Sequence, residues 1–229
     1  MTSVFCAIDT PDLNAAGRLA DDLRGTVGGL KLGLEFFMAH GAKGYREIAS
    51  RGLPIFLDVK LHDIPNTVAG AVGSLLPLKP AFMTIHASGG AAMMRAAADA
   101  AAQVGTARPK MLAVTVLTSL DGDDLSAVGQ GADAAAQVVR LAKLAKDSGM
   151  DGVICSPKEI ALLRAELDPD FILMVPGIRP AWAAANDQKR VMTPHEAKDA
   201  GASYLVIGRP ITKAANPADA ARRIAEELA

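Results

Sequence analysis

Cysteine is scarce in this chain: there are two in 229 residues, Cys6 and Cys155, each inside a short apolar run. They read as small buried hydrophobes in a reducing compartment, and no disulfide is expected. Two cysteines and four scattered histidines have no metal-ligand spacing, so no metal site is expected either. Charge of one sign is also missing. The formal net charge is -1, which leaves nothing global to draw the chain to nucleic acid or to a membrane surface. No apolar run approaches the roughly 18 residues of a membrane span; the longest alanine-rich stretch is interrupted by Arg95 and Asp99. Met1-Thr2-Ser3-Val4-Phe5 lacks the basic start and apolar core of a signal peptide, and a cytoplasmic protein is expected. Nothing resembling a linker or a low-complexity segment divides the chain. With 50% hydrophobic and 21% charged residues, it reads as one globular domain over 1–229.

What is present is a regular alternation. Short apolar runs suited to strands fall at 4–8, 29–32, 55–59, 82–85, 111–116, 152–154, 171–175 and 204–207. Helical periodicity lies between them at 14–23, 64–76, 90–104, 132–146, 156–167 and 216–228. Asn14, Ser156 and Asn216 are expected N-caps, and Pro157 and Pro217 suit a first helical position. Eight strand-helix units predict an α/β fold with a parallel sheet and right-handed crossovers. A closed (β/α)8 TIM barrel fits best. The competitor is a doubly wound open sheet. Its Gly-rich fingerprint after the first strand is absent, for Ile8-Asp9-Thr10-Pro11-Asp12 stands there instead. The nine methionines read as core fillers, and His40 and His195 as surface or helix-end residues.

In a barrel of this kind, chemistry collects at the carboxyl ends of the strands. Those ends carry Asp9, Lys31, then Asp58, Lys60 and Asp63, then His86, then Thr118 and Ser119. The seventh ends in Pro176-Gly177-Ile178-Arg179-Pro180 and the eighth in Gly208-Arg209-Pro210. The stretch Leu57-Asp58-Val59-Lys60-Leu61-His62-Asp63 is the most telling. If the strand persists, Asp58 and Lys60 share one face, with stems roughly 6.6 Å apart at two residue rises. Charges on an inward face cost several kcal/mol unless paired, which is poor for stability and suited to a site. The bland alternative is a structural ion pair capping a strand. After strand eight, a glycine turn beside Arg209 suits a phosphate, held by a bidentate guanidinium. The segment 177–193 has no clear periodicity and contains Arg179, Trp182, Gln188 and Arg190. A segment of that length suits a lid over a ligand, or a solvated loop with Trp182 capping the barrel.

Three sets of residues together resemble one family. Asp58-Val59-Lys60-Leu61-His62-Asp63-Ile64-Pro65-Asn66-Thr67-Val68 closely resembles the signature of the orotidine 5'-phosphate decarboxylases. So do Pro176-Gly177-Ile178-Arg179-Pro180 with Asp187-Gln188-Lys189-Arg190, and Ile207-Gly208-Arg209-Pro210-Ile211-Thr212. The order and spacing are similar to the bacterial form over essentially the whole chain. The Asp-x-Lys-x-x-Asp core alone is shared by sister enzymes on the same fold.

The resemblance implies loss of CO2 from orotidine 5'-phosphate to give uridine 5'-phosphate in pyrimidine biosynthesis, without cofactor or metal. It implies Lys60 as the proton donor within a network of Lys31, Asp58, Lys60 and Asp63. Asp63 is expected to cross a homodimer interface into the partner's site. Asp9 and Thr67 resemble residues that hold the ribose and neighbouring hydroxyls, and Ile64 an apolar wall near the pyrimidine. Thr118 and Ser119 match a strand-five ligand contact. Arg179, Gln188, Gly208 and Arg209 resemble a phosphate grip. The residue types suit that chemistry. Carbanion charge in the ring plane is poorly delocalised, so a fixed ammonium is its natural stabiliser and proton source. Rival readings stand beside this one; a purely structural protein is among them but leaves the charged network unexplained, and two others carry more weight. One is a magnesium-dependent sugar-phosphate decarboxylase or aldolase on the same frame. The other is a non-catalytic sensor of a phosphate ligand, which has no use for a buried proton donor.

Overall fold

Each of the eight short apolar runs becomes a strand, and all eight pair in parallel. The computed structural model describes residues 3–183 and 192–229. The strands are β1 (Ser3–Ile8), β2 (Gly29–Gly33), β3 (Ile55–Leu61), β4 (Phe82–His86), β5 (Lys110–Val114), β6 (Gly152–Ile154), β7 (Ile172–Pro176) and β8 (Tyr204–Ile207). They close in sequence order, with β8 returning to β1 through the register Phe5 to Val206. The expected single closed barrel is what forms, and the open-sheet alternative falls away.

Alternation along each strand sends one set of side chains inward. Phe5, Phe56 and Phe82 meet Tyr204 at the amino end of the barrel, edge to face. Phe5 and Phe82 have ring centroids 5.3 Å apart, and Phe82 and Tyr204 5.0 Å. Such a plug is stabilised by burial and by its ring geometry. Gly29 makes room for it: a Cβ at that position would stand 2.2 Å from the Phe5 ring. Ala7, Leu112, Met174 and Val206 pack with these aromatics, closing the barrel below its carboxyl end. The larger part of the core lies between strands and helices, where Leu30, Leu57, Ile85, Met93, Val138 and Ile207 are among the fully buried side chains.

The helices are α1 (Leu13–Asp22), α2 (Leu34–Ala49), α3 (Pro65–Leu75), α4 (Gly90–Ala102), α5 (Gly122–Ala127), α6 (Ala134–Asp147), α7 (Ile160–Glu166), α8 (Pro194–Asp199), α9 (Arg209–Thr212) and α10 (Pro217–Glu227). Asn216 caps α10 as expected, its side chain accepting from the Asp219 amide. Ser156 caps a 3-10 turn, Pro157–Glu159, in a reciprocal arrangement with Glu159. The expected Asn14 cap is corrected. Asp12 caps α1 instead, because its carboxylate accepts the amides of both Asn14 and Ala15. Helices α2, α5, α8 and α9 were not among the expected segments. Met83, Met93, Met94, Met111, Met150 and Met174 are core residues as expected, whereas Met38 on α2 is 73% exposed. His40 and His195 both lie on helices, His195 beside Asp199 at the surface.

Candidate active site

The carboxyl end of the barrel holds a cavity of about 350 Å3, within the range of small-molecule sites. Its floor is the aromatic plug, through Phe56, with Ala7 and Val206. Apolar residues of β5, β6 and β7 (Val114, Ile154 and Pro176) form one wall. The opposite wall is ionic and is built by three consecutive strands. Asp9 follows β1, Lys31 stands in β2, and Asp58 and Lys60 stand in β3.

These four side chains form a chain of alternating charge. The Lys31 ammonium donates to Asp9 Oδ1 at 2.9 Å and lies 3.8 Å from Asp58 Oδ2. The Lys60 ammonium donates to the same Asp58 oxygen at 2.7 Å. Asp58 is the buried member, at 8% exposure. A buried carboxylate is strongly unfavourable unless every lone pair finds a partner. Its other oxygen, Oδ1, accepts from the hydroxyl of Thr84 at 2.9 Å. Two ammoniums and two carboxylates cancel in charge, which limits the cost of holding them together beside the aromatic plug.

Lys60 reaches this position by an unusual backbone. Its φ is +49°, a left-handed conformation that costs an L-residue about 1–2 kcal/mol. The β3 to β4 ladder shifts register between Leu57 and Leu61, so the strand does not simply persist through Lys60. Thr84 holds the irregularity in place, accepting the Lys60 amide at 2.9 Å while donating to Asp58. Thr84 is a fully buried polar residue on β4 and escaped the sequence reading. The available signal was a lone hydroxyl inside the apolar run Phe82-Met83-Thr84-Ile85.

The mouth of the cavity is lined from β7 and β8 by Gly177, Ile178, Arg179, Gly208, Arg209 and Pro210. Gly177 takes φ +80°, which turns the chain back after β7. Arg179 is largely buried, at 8% exposure, and its amide donates to Met192 O at 3.1 Å. Thr118 also lines the cavity, whereas Ser119 is exposed and off its wall.

Of the expected site residues, Asp9, Lys31, Asp58, Lys60, Thr118, Arg179, Gly208 and Arg209 are therefore gathered on one cavity. Asp63, Ile64 and Thr67 are exposed and do not line it within the single chain. Asp63 Oδ1 accepts the Ile64 amide at 2.7 Å. Gln188 and Arg190, with the rest of 184–191 in the expected lid segment, lie outside the described residues. His86 is half-buried, its ring 5.3 Å from that of His62. Burial lowers its pKa first, and the neighbouring His62 and Lys60 push in the same direction. Cys155 is on the cavity wall, where burial raises its pKa. Among the described residues, no three His, Cys, Asp or Glu side chains gather to hold a metal ion. No helix among them is long and apolar enough to cross a membrane.

Fold and site together define a (β/α)8 barrel whose small-molecule cavity sets an ionic cluster on one arc against two arginines on another. The model of one family, described as orotidine 5'-phosphate decarboxylase / HUMPS family, matches residues 2–224. The chain belongs to this family. It is 56% identical over 230 residues to the orotidine 5'-phosphate decarboxylase of Rhodospirillum rubrum, covering 98% of this chain and 93% of that protein. The enzyme of the same name from Paramagnetospirillum magneticum is also 56% identical, with 98% and 97% covered. Among solved structures, the orotidine 5'-phosphate decarboxylase of Lactobacillus acidophilus superposes with a TM-score of 0.86 at 38% identity, covering 100% of this chain and 99% of that one.

Proposed function

We propose that this chain is an orotidine 5'-phosphate decarboxylase, a carboxy-lyase that makes uridine 5'-phosphate in pyrimidine biosynthesis. The observation that carries the reading is the division of the cavity. The Asp9, Lys31, Asp58 and Lys60 cluster faces a rim containing Arg179 and Arg209, in a chain whose near full-length relatives carry that name.

The substrate's phosphate sits at the arginine rim, with Arg179, Gln188, Gly208 and Arg209 as its grip. The pyrimidine then lies over the ionic wall. Asp9 and Thr67 hold sugar hydroxyls, Ile64 forms an apolar wall near the pyrimidine, and Thr118 supplies the ligand contact after β5. The bond from C6 to the carboxylate breaks, its electron pair stays on C6, and CO2 leaves. The Lys60 ammonium, already fixed by Asp58, stabilises the charge that develops at C6. It then gives that carbon a proton, and the amine recovers one from water. Asp58 lies where the substrate carboxylate approaches, and repulsion there raises the ground state relative to the carbanion. No electron-sink cofactor or metal enters this sequence.

Asp63 acts in the site of a second subunit, in a cytoplasmic homodimer. What supports this is its exposure beside Ile64, which is 67% exposed although apolar. Exposure of Thr67 supports grouping it with them.

The test follows the ultraviolet absorbance of orotidine 5'-phosphate with purified, EDTA-treated protein. Loss of absorbance with uridine 5'-phosphate as product is expected. Folded protein that turns over nothing, before or after magnesium is added, would overturn the reading. Turnover of a sugar phosphate only after magnesium addition would replace it with the sister chemistry.

A further inference from the structure

The chain has one tryptophan, Trp182, and it stands three residues beyond Arg179 on the segment that leaves β7. A turn closed by the Ala183 amide on Pro180 O, at 2.9 Å, shapes the chain around it. The indole is 36% exposed, a wasteful position for the largest apolar side chain unless something covers it. The guanidinium of Arg223 does so, with its Cζ 4.3 Å from the ring centroid. Arg223 projects from α10, and among the described residues no carboxylate forms an ion pair with it. Its neighbour Arg222, by contrast, pairs with Asp219 on the same helix.

The two partners belong to different parts of the barrel. Trp182 follows Arg179 in the β7 unit. Arg223 sits in the β8 unit, on the helix that follows α9, and α9 begins with Arg209. Arg179 is thus joined to Trp182 by a short stretch of chain, and Arg209 to Arg223 through α9, which packs against α10. We propose that Trp182 and Arg223 form a brace that sets the separation of Arg179 and Arg209 for a phosphate-bearing ligand. They are positioning residues and touch no reacting atom. This inference rests on the proposed function in taking a nucleoside monophosphate as the ligand.

An exposed cation–π contact is worth roughly a two- to fivefold change in an equilibrium. The test is a double-mutant cycle of Arg223→Ala and Trp182→Ala, reading the affinity for uridine 5'-phosphate by titration calorimetry. Each single variant should bind about two- to fivefold more weakly. The double variant should be no weaker than either alone, because both remove the same contact. Arg223→Lys, which keeps the cation, should stay within about twofold of the parent. In turnover, the loss should fall on KM for orotidine 5'-phosphate more than on kcat. Additive losses in the cycle, or full affinity in both single variants, would overturn the brace. Binding does not require turnover. A parent chain that binds uridine 5'-phosphate and shows the coupling, yet leaves orotidine 5'-phosphate intact, would sink the proposed reaction and leave the brace standing.

Discussion

Replacing Thr84 with valine keeps the shape of a fully buried side chain and removes one hydroxyl. That hydroxyl makes two bonds, donating to Asp58 and accepting from the Lys60 amide, both at 2.9 Å. A hydrogen bond to a charged group contributes about 1.5–3 kcal/mol, and an orphaned donor costs about 1–3 kcal/mol. The two overlap, so Thr84→Val should lose about 2–4 kcal/mol of stability, a large share of the ~5–15 kcal/mol of an ordinary domain. A second effect acts on turnover. The left-handed Lys60 backbone is held against a preference of ~1–2 kcal/mol for other conformations. Without Thr84 the ammonium loses its fixed place, and kcat should fall about ten- to a hundredfold. Thr84→Ser keeps both bonds and deletes one buried methyl, at about 1 kcal/mol. Its stability should lie between the parent and the valine variant, with kcat close to the parent. Urea unfolding with linear extrapolation and saturating turnover measure the two quantities separately. Parent-like kcat in Thr84→Val would show that Thr84 is a core residue only. Equal losses of kcat in the serine and valine variants would show that packing around Thr84, and not the hydroxyl alone, governs turnover.

Lys60→Ala should fold and lose nearly all turnover, and full activity in that variant would remove Lys60 as the proton donor. Mixing inactive Lys60→Ala and Asp63→Ala protomers should restore one intact site per heterodimer; isolated heterodimers without activity would count against Asp63 crossing an interface. Arg209→Ala should lower kcat/KM by roughly ten- to a hundredfold through lost charge-assisted hydrogen bonds to phosphate, and an unchanged kcat/KM excludes it from the grip. His86 has a folded-state pKa lowered from 6.5, chiefly by burial, then by His62 and Lys60, with Asp58 opposing. The unfolded chain therefore takes up the proton first as pH falls. Stability should decline from about pH 6.5 down toward the folded-state value, and His86→Asn should flatten that part of the unfolding profile; an unaltered slope would locate it in another group.

The strands were legible because each is a short apolar run, several of them ending at a charge or a glycine, a pattern that barrel architecture imposes on its inward and outward faces alike. Ile55 to Leu61 shows this best, since Asp58 and Lys60 interrupt an otherwise buried segment at a spacing of two. The helices were less legible. Helix α2 contains Gly41 with φ +55°, so its two parts do not share one periodicity. Helices α5, α8 and α9 span six, six and four residues, too few for a period of 3.6 to register. At the site, charges on strand ends could be read because they are improbable there. Thr84 could not be read in the same way, because a threonine suits a strand without any further role. The left-handed turn at Lys60 left no mark either, for no glycine or asparagine announced it. Asp63 and Ile64 are legible as a motif, yet both are exposed and neither lines the cavity of the single chain.

The order in which the barrel closes has a consequence for how new activities arise on it. The ionic residues belong to β1, β2 and β3 and are buttressed from β4, whereas the arginine rim belongs to β7 and β8. Apolar positions of β5 and β6 separate the two arcs on that side of the cavity. If the arginine arc grips phosphate as proposed, one arc can accumulate substitutions while the other keeps that hold, so that altering the chemistry does not mean reinventing recognition. Such a barrel is modular by angle rather than by sequence segment. On that proposal, a library confined to the ends of its first four strands would explore new reactions on phosphorylated molecules while leaving the arginine arc untouched.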